Sequence, residues 1–204
     1  MFYEPVKRNH GLPHDPFKAI VAPRPIGWIS SLDRQGKANL APYSYFNGVA
    51  SYPPMVMFSS EGAKDSVRNV SETMEFVCSL ATWDLREAMN RTSESVAHGV
   101  NEFELAGLTP VPSKLVKPPR VGESPCALEC KATDIVQMKG ADGMPRQNYV
   151  VFGEVVGIHI DEQYIKNGIL DAAAMKPIAR LGYRDYSVVT ELFQMTRPDE
   201  LRRR

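Results

Sequence analysis

Between residues 39 and 66 the chain gathers the side chains that binding chemistry would need. Asn39-Leu40-Ala41-Pro42-Tyr43-Ser44-Tyr45-Phe46-Asn47 mixes aromatic rings with small and hydroxyl-bearing residues. Ser59-Ser60 and Lys64-Asp65-Ser66 then add hydroxyls and an ammonium just ahead of a predicted helix. Ring-shaped apolar walls at one end and an anion seat at the other suit a flat, phosphorylated ligand. In the seat, Gly62 permits a tight turn, and first-turn N–H groups, hydroxyls and one ammonium could hold a phosphate monoester of roughly two negative charges. Asp65 would turn away from that phosphate as the helix cap. A plain capped helix with a solvated lysine accounts for the same segment, and Ala41-Pro42-Tyr43-Ser44 alone could be a tight bend with an aromatic plug. Small residues at 41 and 44 would let a ligand reach the backbone, as the pyrimidine edge of a flavin requires.

Two later segments carry weaker signals. In the predicted strand 150–160, Val151, Gly153, Val155, Gly157 and His159 share a face, and two glycines there imply that something comes close. A packed helix, another subunit or a ligand would all serve. His159, at the end of that face, could meet a redox cofactor or its reductant, although a lone histidine often serves only the fold. Arg180-Leu181-Gly182-Tyr183 places a cation, a flexible joint and a ring in sequence, and could clamp the adenine or phosphate of a second nucleotide. A salt-bridged turn explains it as well. The chain has no G-x-G-x-x-G turn, Walker A loop, H-E-x-x-H or G-x-S-x-G elbow. Any nucleotide-like cofactor must bind without the Rossmann device.

The elements that position these residues read mostly as strands. Residues 26–32 and 38–41 form a predicted hairpin across Asp33-Arg34-Gln35-Gly36, whose glycine tolerates positive φ. Residues 55–59 and 75–81 read as further strands, with Phe76, Cys78 and Leu80 on one face. A short helix over 64–72 carries Val67 and Val70, with Asp65 near its N-cap. Asp84 opens a second helix, and Asn101 a third, with Glu104 placed for a capping box and Gly107 for a stop. Five prolines from Pro110 to Pro125 predict an extended crossing without regular structure. Long strands follow over 128–138 and 149–160, joined near Gly140-Ala141-Asp142-Gly143; residues 165–174 are expected to be helical and 187–195 a last strand. With no regular β-α-β alternation, a mainly β (β-rich α+β) fold is expected: a closed or half-open antiparallel barrel with a few short peripheral helices.

At 204 residues the chain suits a single domain over 1–204, with an N-terminal arm (1–16) and a C-terminal tail (198–204). Equal counts of basic and acidic residues, 24 each, argue against a nucleic-acid binder. The Arg202-Arg203-Arg204 tail is expected to be a solvated end, and His98 a loop residue. The first residues lack the apolar core of a signal peptide, and no run approaches the ~18 apolar residues of a membrane span. A soluble, cytoplasmic protein is expected. Three cysteines make no disulfide framework; Cys126 and Cys130, about 13 Å apart in a strand, are too distant for one bond or one metal. All three read as small buried hydrophobes, and no metal is expected.

Taken in order, Arg24-Pro25-Ile26-Gly27-Trp28-Ile29-Ser30, the 39–47 stretch, Pro53-Pro54, Lys64-Asp65-Ser66 with Asn69, Ala88-Met89-Asn90, Glu102–Leu108, Pro118-Pro119-Arg120-Val121, Gly153-Glu154-Val155-Val156 and Arg180-Leu181-Gly182 resemble the flavin reductase-like family. The resemblance runs from about Phe17 to Pro198. That family, with its FMN-binding split barrel, includes reductase components of two-component monooxygenases and the flavoredoxins. The resemblance implies a split β-barrel homodimer that binds FMN non-covalently near the subunit interface. By position, Asn39, Ala41, Pro42, Tyr43, Ser44 and Tyr45 would line the ring and ribityl chain. Ser59, Ser60, Lys64, Asp65 and Ser66 would hold the phosphate. Ser66 replaces a frequent threonine and keeps the hydroxyl; Tyr183 replaces a frequent second glycine. His159, Arg180 and Tyr183 are the reductant-side candidates. The function implied is an NAD(P)H-dependent flavin reductase that feeds a monooxygenase or other electron-accepting protein. An FMN carrier without direct nicotinamide use, and a barrel that has lost its flavin, are the rival readings.

Overall fold

The computed structural model describes residues 1–97 and 99–198. His98 and the Arg202-Arg203-Arg204 tail lie outside the described residues. After a short 3-10 turn at Pro5–Lys7 come α1 (Phe17–Ile20), β1 (Arg24–Pro25), β2 (Gly27–Leu32), β3 (Ala38–Tyr43), β4 (Phe46–Ser51) and β5 (Pro54–Glu61). It continues through α2 (Asp65–Thr73), β6 (Glu75–Leu80), α3 (Arg86–Arg91), α4 (Glu102–Ala106), β7 (Pro110–Val111) and β8 (Arg120–Val121). Two long strands, β9 (Cys126–Lys139) and β10 (Pro145–Ile160), precede β11 (Ile165–Lys166), β12 (Ile169–Leu170), β13 (Ile178–Arg180) and β14 (Tyr186–Val188).

Seven strands form one antiparallel sheet in the order β3-β2-β6-β9-β10-β5-β4. The sheet's two end strands, β3 and β4, follow one another in the chain, joined only by Ser44 and Tyr45. The Ser59 N–H, on β5, donates to the Tyr45 carbonyl at 2.8 Å, extending the β4–β5 ladder into that short link. Burial shows why the sheet closes. Ile29, Tyr43, Phe58, Phe76, Cys130 and Val151, from six of the strands, share one core with Val67 and Val70 of α2. One helix thus plugs a barrel whose inner face is mainly apolar, with Ser31 and Asn39 hydrogen-bonded to Asn69 and Ser66 of that helix.

The outer face of β2 and β3 is covered too. Trp28 and Leu40 pack with Met89 of α3, Phe103 of α4, Val121 and Ile178. Because both faces are buried, β2 shows no polar–apolar alternation. Its two serines survive burial by hydrogen bonding: the Ser30 hydroxyl donates to the Pro119 carbonyl, and Ser31 Oγ accepts from Asn69 Nδ2 at 3.1 Å.

Several expected elements take another form. Residues 165–170 are a hairpin, β11 with β12, and not a helix. Asn167 and Gly168 both have positive φ, 53° and 77°, the requirement of a tight hairpin turn with an Asn-Gly centre. Helix α3 starts at Arg86, since Thr82 and Trp83 first make a turn whose carbonyls accept from Leu85 and Arg86. Lys64, not Asp65, holds the N-cap position of α2; Asp65 is its first helical residue. The last strand ends at Val188, its only ladder being with the short β13. β4, β1 and β13 are elements the pattern does not reveal, and the proline-rich crossing contains the small β7–β8 pair. The third helix matches expectation closely: Asn101 accepts from the Phe103 N–H and donates to Glu104 Oε1, both at 3.1 Å, and Gly107 closes it.

Candidate functional site

β3 is an edge strand, paired only with β2. One row of its backbone groups therefore faces away from the sheet. On that outward row, the Leu40 N–H is taken by the Glu102 carboxylate at 3.0 Å. Two residues on, with the same orientation, stands Pro42, which has no N–H to leave unpaired. The edge is thus open for a ligand at the bend without an orphaned donor.

A cavity of about 570 Å3 lies against this edge, within the range of about 300–1,000 Å3 usual for ligand pockets. Asn39, Ala41, Pro42 and Tyr43 form one wall, and Lys64, Asp65 and Ser66, at the start of α2, form another. The bend and the helix start therefore face one space. Their relative position is fixed from beneath: Asn39 Nδ2 donates to Ser66 Oγ at 2.9 Å, and both residues are buried. Tyr43, also buried, hydrogen-bonds through its hydroxyl to Ser66 and Ser60, and its ring lies 4.9 Å from that of Phe58. Burial pushes the Tyr43 phenol above its ordinary value against those two hydrogen bonds, so it remains an O–H donor.

Four expected ligand contacts sit behind or beside this cavity. Ser60 braces the Tyr43 hydroxyl and donates to the Gly62 carbonyl at 2.9 Å. The Ser59 N–H extends the β4–β5 ladder to the Tyr45 carbonyl. Ser44 and Tyr45 are not among the lining residues; the Tyr45 ring has the Arg24 guanidinium 5.7 Å from its centre. Buried Arg24 is a strut, donating to the carbonyls of Lys18, Val21 and Leu181.

The third wall is Thr92, Ser93, Glu94, Ser95 and Val96, with Glu102, which sequence reasoning assigned no role. A hydroxyl-rich Thr-Ser-Glu-Ser run just past a predicted helix was the available signal. Thr92 anchors it, accepting from Trp28 Nε1 at 2.9 Å and donating to the Met89 carbonyl at 2.7 Å. Burial raises the Glu102 carboxyl above its usual range, the Leu40 N–H opposes this, and the Asp65 charge adds to it. Asp65 is itself 3.3 Å from Arg68 Nη1.

The residues present fit a flavin mononucleotide. Lys64 at the N-cap supplies a cation and makes no side-chain cap to the first turn of the nine-residue α2, which leaves that positive helix end to an anion. Glu94 and Glu102 belong to the third wall, so the phosphate fits at the Lys64 and Ser66 end, where Asp65 pairs with Arg68 at 3.3 Å.

The other candidates lie elsewhere. His159 Nε2 meets Glu129 Oε1 at 2.5 Å. The fully buried Glu129 also accepts from the N–H groups of Lys114, Leu115 and Val116 at 2.7, 2.6 and 3.2 Å. His159 therefore helps pin the proline-rich crossing to the barrel. Arg180 donates to the Tyr183 carbonyl and the Tyr186 hydroxyl, both at 2.5 Å, a hydrogen-bonded turn with no carboxylate partner among the contacts described. Gly153 makes room for the chain's own core: a Cβ there would lie 2.5 Å from the Phe76 ring.

An antiparallel barrel plugged by a helix, with a cavity between an edge-strand bend and that helix's N-terminus, defines a flavin-binding class of split barrel. Residues 21–178 match the family model described as "Flavin reductase like domain", and the chain belongs to that family. A protein of Aquifex aeolicus is 38% identical over 173 residues, 82% of this chain and 85% of its own. The crystal structure of nitrilotriacetate monooxygenase component B from Bacillus cereus superposes with a TM-score of 0.87 at 30% identity, covering 96% of this chain and 98% of that one. The 2-nitrobenzoate 2-nitroreductase NbaA of Pseudomonas fluorescens gives 0.79 at 29%, covering 89% and 88%. Among the described residues, no helix is long and apolar enough to cross a membrane.

Proposed function

We propose that this chain binds FMN non-covalently as a cytoplasmic homodimer and acts as an NAD(P)H-dependent oxidoreductase that supplies a monooxygenase or other acceptor. The observation that carries this is one cavity joining the Pro42 bend to the Lys64 end of α2, the two grips a ring-plus-phosphate ligand needs. Kinship with a monooxygenase component and a nitroreductase supports redox chemistry. Bound FMN would supply that chemistry, taking hydride from NAD(P)H and passing two electrons on.

The chain's own residues bind and orient. The open edge at Ala41 and Pro42 meets the ring, and Lys64, Ser66 and the first turn of α2 hold the phosphate. Tyr43, kept neutral by burial, walls the ring without adding a charge. Glu102, tied to Leu40, fixes the edge strand to α4. No side chain is required to move a proton. Anaerobic stopped-flow mixing of the flavin-loaded protein with NADH and with NADPH tests the reading: bleaching by either supports it, and flavin that neither bleaches rules it out.

A further inference from the structure

A second cavity, of about 500 Å3, lies between α3 and the β13–β14 hairpin. Three guanidinium groups line it, those of Arg86, Arg180 and Arg184, against the one carboxylate of Glu87. Two of them sit over rings: Arg86 Cζ lies 4.0 Å from the centre of Trp83, and Arg180 Cζ lies 4.6 Å from that of Tyr186. Backbone carbonyls hold both, that of Trp83 at 2.8 Å and that of Tyr183 at 2.5 Å. Glu87 offsets only part of the charge, meeting Arg86 Nε at 3.5 Å. Planar cations already held over rings and hydrogen-bonded lose little freedom when they clasp an anion, and a guanidinium face can accept a nucleobase.

This cavity is not isolated. A shallow groove along α3 shares Glu87 and Asn90 with it and shares Glu94 with the cavity at Pro42. The six residues of α3 span only about 9 Å, within reach of a dinucleotide. We propose that the arginine-lined cavity binds an adenosine phosphate, the far half of a dinucleotide whose reactive ring occupies the cavity at Pro42. This rests on the flavin reading above. Two dinucleotides carry that chemistry, the nicotinamide reductant and FAD.

The test titrates the purified full chain calorimetrically with AMP and with adenosine 2′-phosphate, for wild type and for Arg86→Ala/Arg184→Ala, with Arg184→Ala alone as the milder variant. Saturable binding to wild type that weakens about ten-fold or more in the double variant, with the thermal midpoint held, is the expected result. No binding, or equal binding in both proteins, overturns the proposal. KM for NADPH and NADH and Kd for FAD and FMN, measured on the same proteins, identify the source: the dinucleotide that loses about ten-fold while FMN stays unchanged is the occupant. If neither dinucleotide is affected, the proposal falls. Arginine-dependent adenylate binding in a protein that takes up no flavin keeps this site and sinks the redox reading. Flavin uptake without adenylate binding does the reverse.

Discussion

Gly153→Ala offers a sharp test of how the barrel core supports the site. Gly153 sits on the inner face of β10 between buried Val151 and Val155. A Cβ added there would lie 2.5 Å from two atoms of the Phe76 ring and 3.3 Å from the Lys131 carbonyl oxygen. Ordinary contact begins near 3.4 Å, so the ring must retreat by about 0.9 Å, the difference of those two distances. It has nowhere easy to go: Phe76 is fully buried and packs edge-on against Phe58 at 5.4 Å, and Phe58 packs against Tyr43 at 4.9 Å. Overpacking of this kind costs about 1–3 kcal/mol, which for a chain of this size lowers Tm by roughly 2–12 °C. The displacement also points along Phe58 to Tyr43, which walls the candidate cavity, so FMN affinity falls with stability. Thermal melts of wild type, Gly153→Ala, Phe76→Leu and the double variant measure it. The smaller ring-free side chain should recover most of the loss in the Gly153→Ala background. A Gly153→Ala protein melting with wild type would refute the reasoning.

Lys64→Ala, which removes an exposed cation, weakens FMN binding about ten-fold and flattens its salt dependence while leaving riboflavin binding unchanged, as fluorescence titration would show. Glu129→Gln changes the acid limb of stability. Burial alone would raise the Glu129 carboxyl, but His159 and the N–H groups of Lys114 and Leu115 hold it below its ordinary value of 4.5. Its contribution is therefore present above about 4.5 and is lost as pH falls through the lower folded value. Denaturation midpoints followed into acid should drop more steeply for wild type than for the variant, and parallel curves would contradict this. Burial pushes the Cys78 thiol up to about 12, so Cys78 should resist alkylation in the native protein and react only on unfolding, read by mass spectrometry.

The cavity's two main walls were legible because each is local. Asn39 to Tyr43 is one strand end, Lys64 to Ser66 one helix start, and their residue types announce shape and charge. The third wall, Thr92 to Val96, is irregular chain whose place depends on the Trp28 indole N–H donating to Thr92 from 64 residues away, and no local pattern records that. Ser59 and Ser60, expected at the phosphate, alternate across β5, and their contacts with the Tyr45 and Gly62 carbonyls are ones no local pattern announces. The glycines of β10 correctly announced a close approach at Gly153, while the approaching group, Phe76, comes from two strands away across β9. The helix expected over 165–174 failed on turn chemistry, since Asn167-Gly168 was itself a hairpin signal. Glu129 and His159 pair across β9 and β10, so the histidine alone suggested chemistry where its partner shows anchoring.

The most direct measurement of the central claim is an absorbance scan of the purified protein, followed by titration with FMN. The account predicts a flavin spectrum, either as isolated or after saturable uptake of one FMN per chain, abolished or greatly weakened when Ser66 and Lys64 are both replaced by alanine. A protein that stays colourless after FMN is added and removed, or that binds FMN as well without those two side chains, would contradict it.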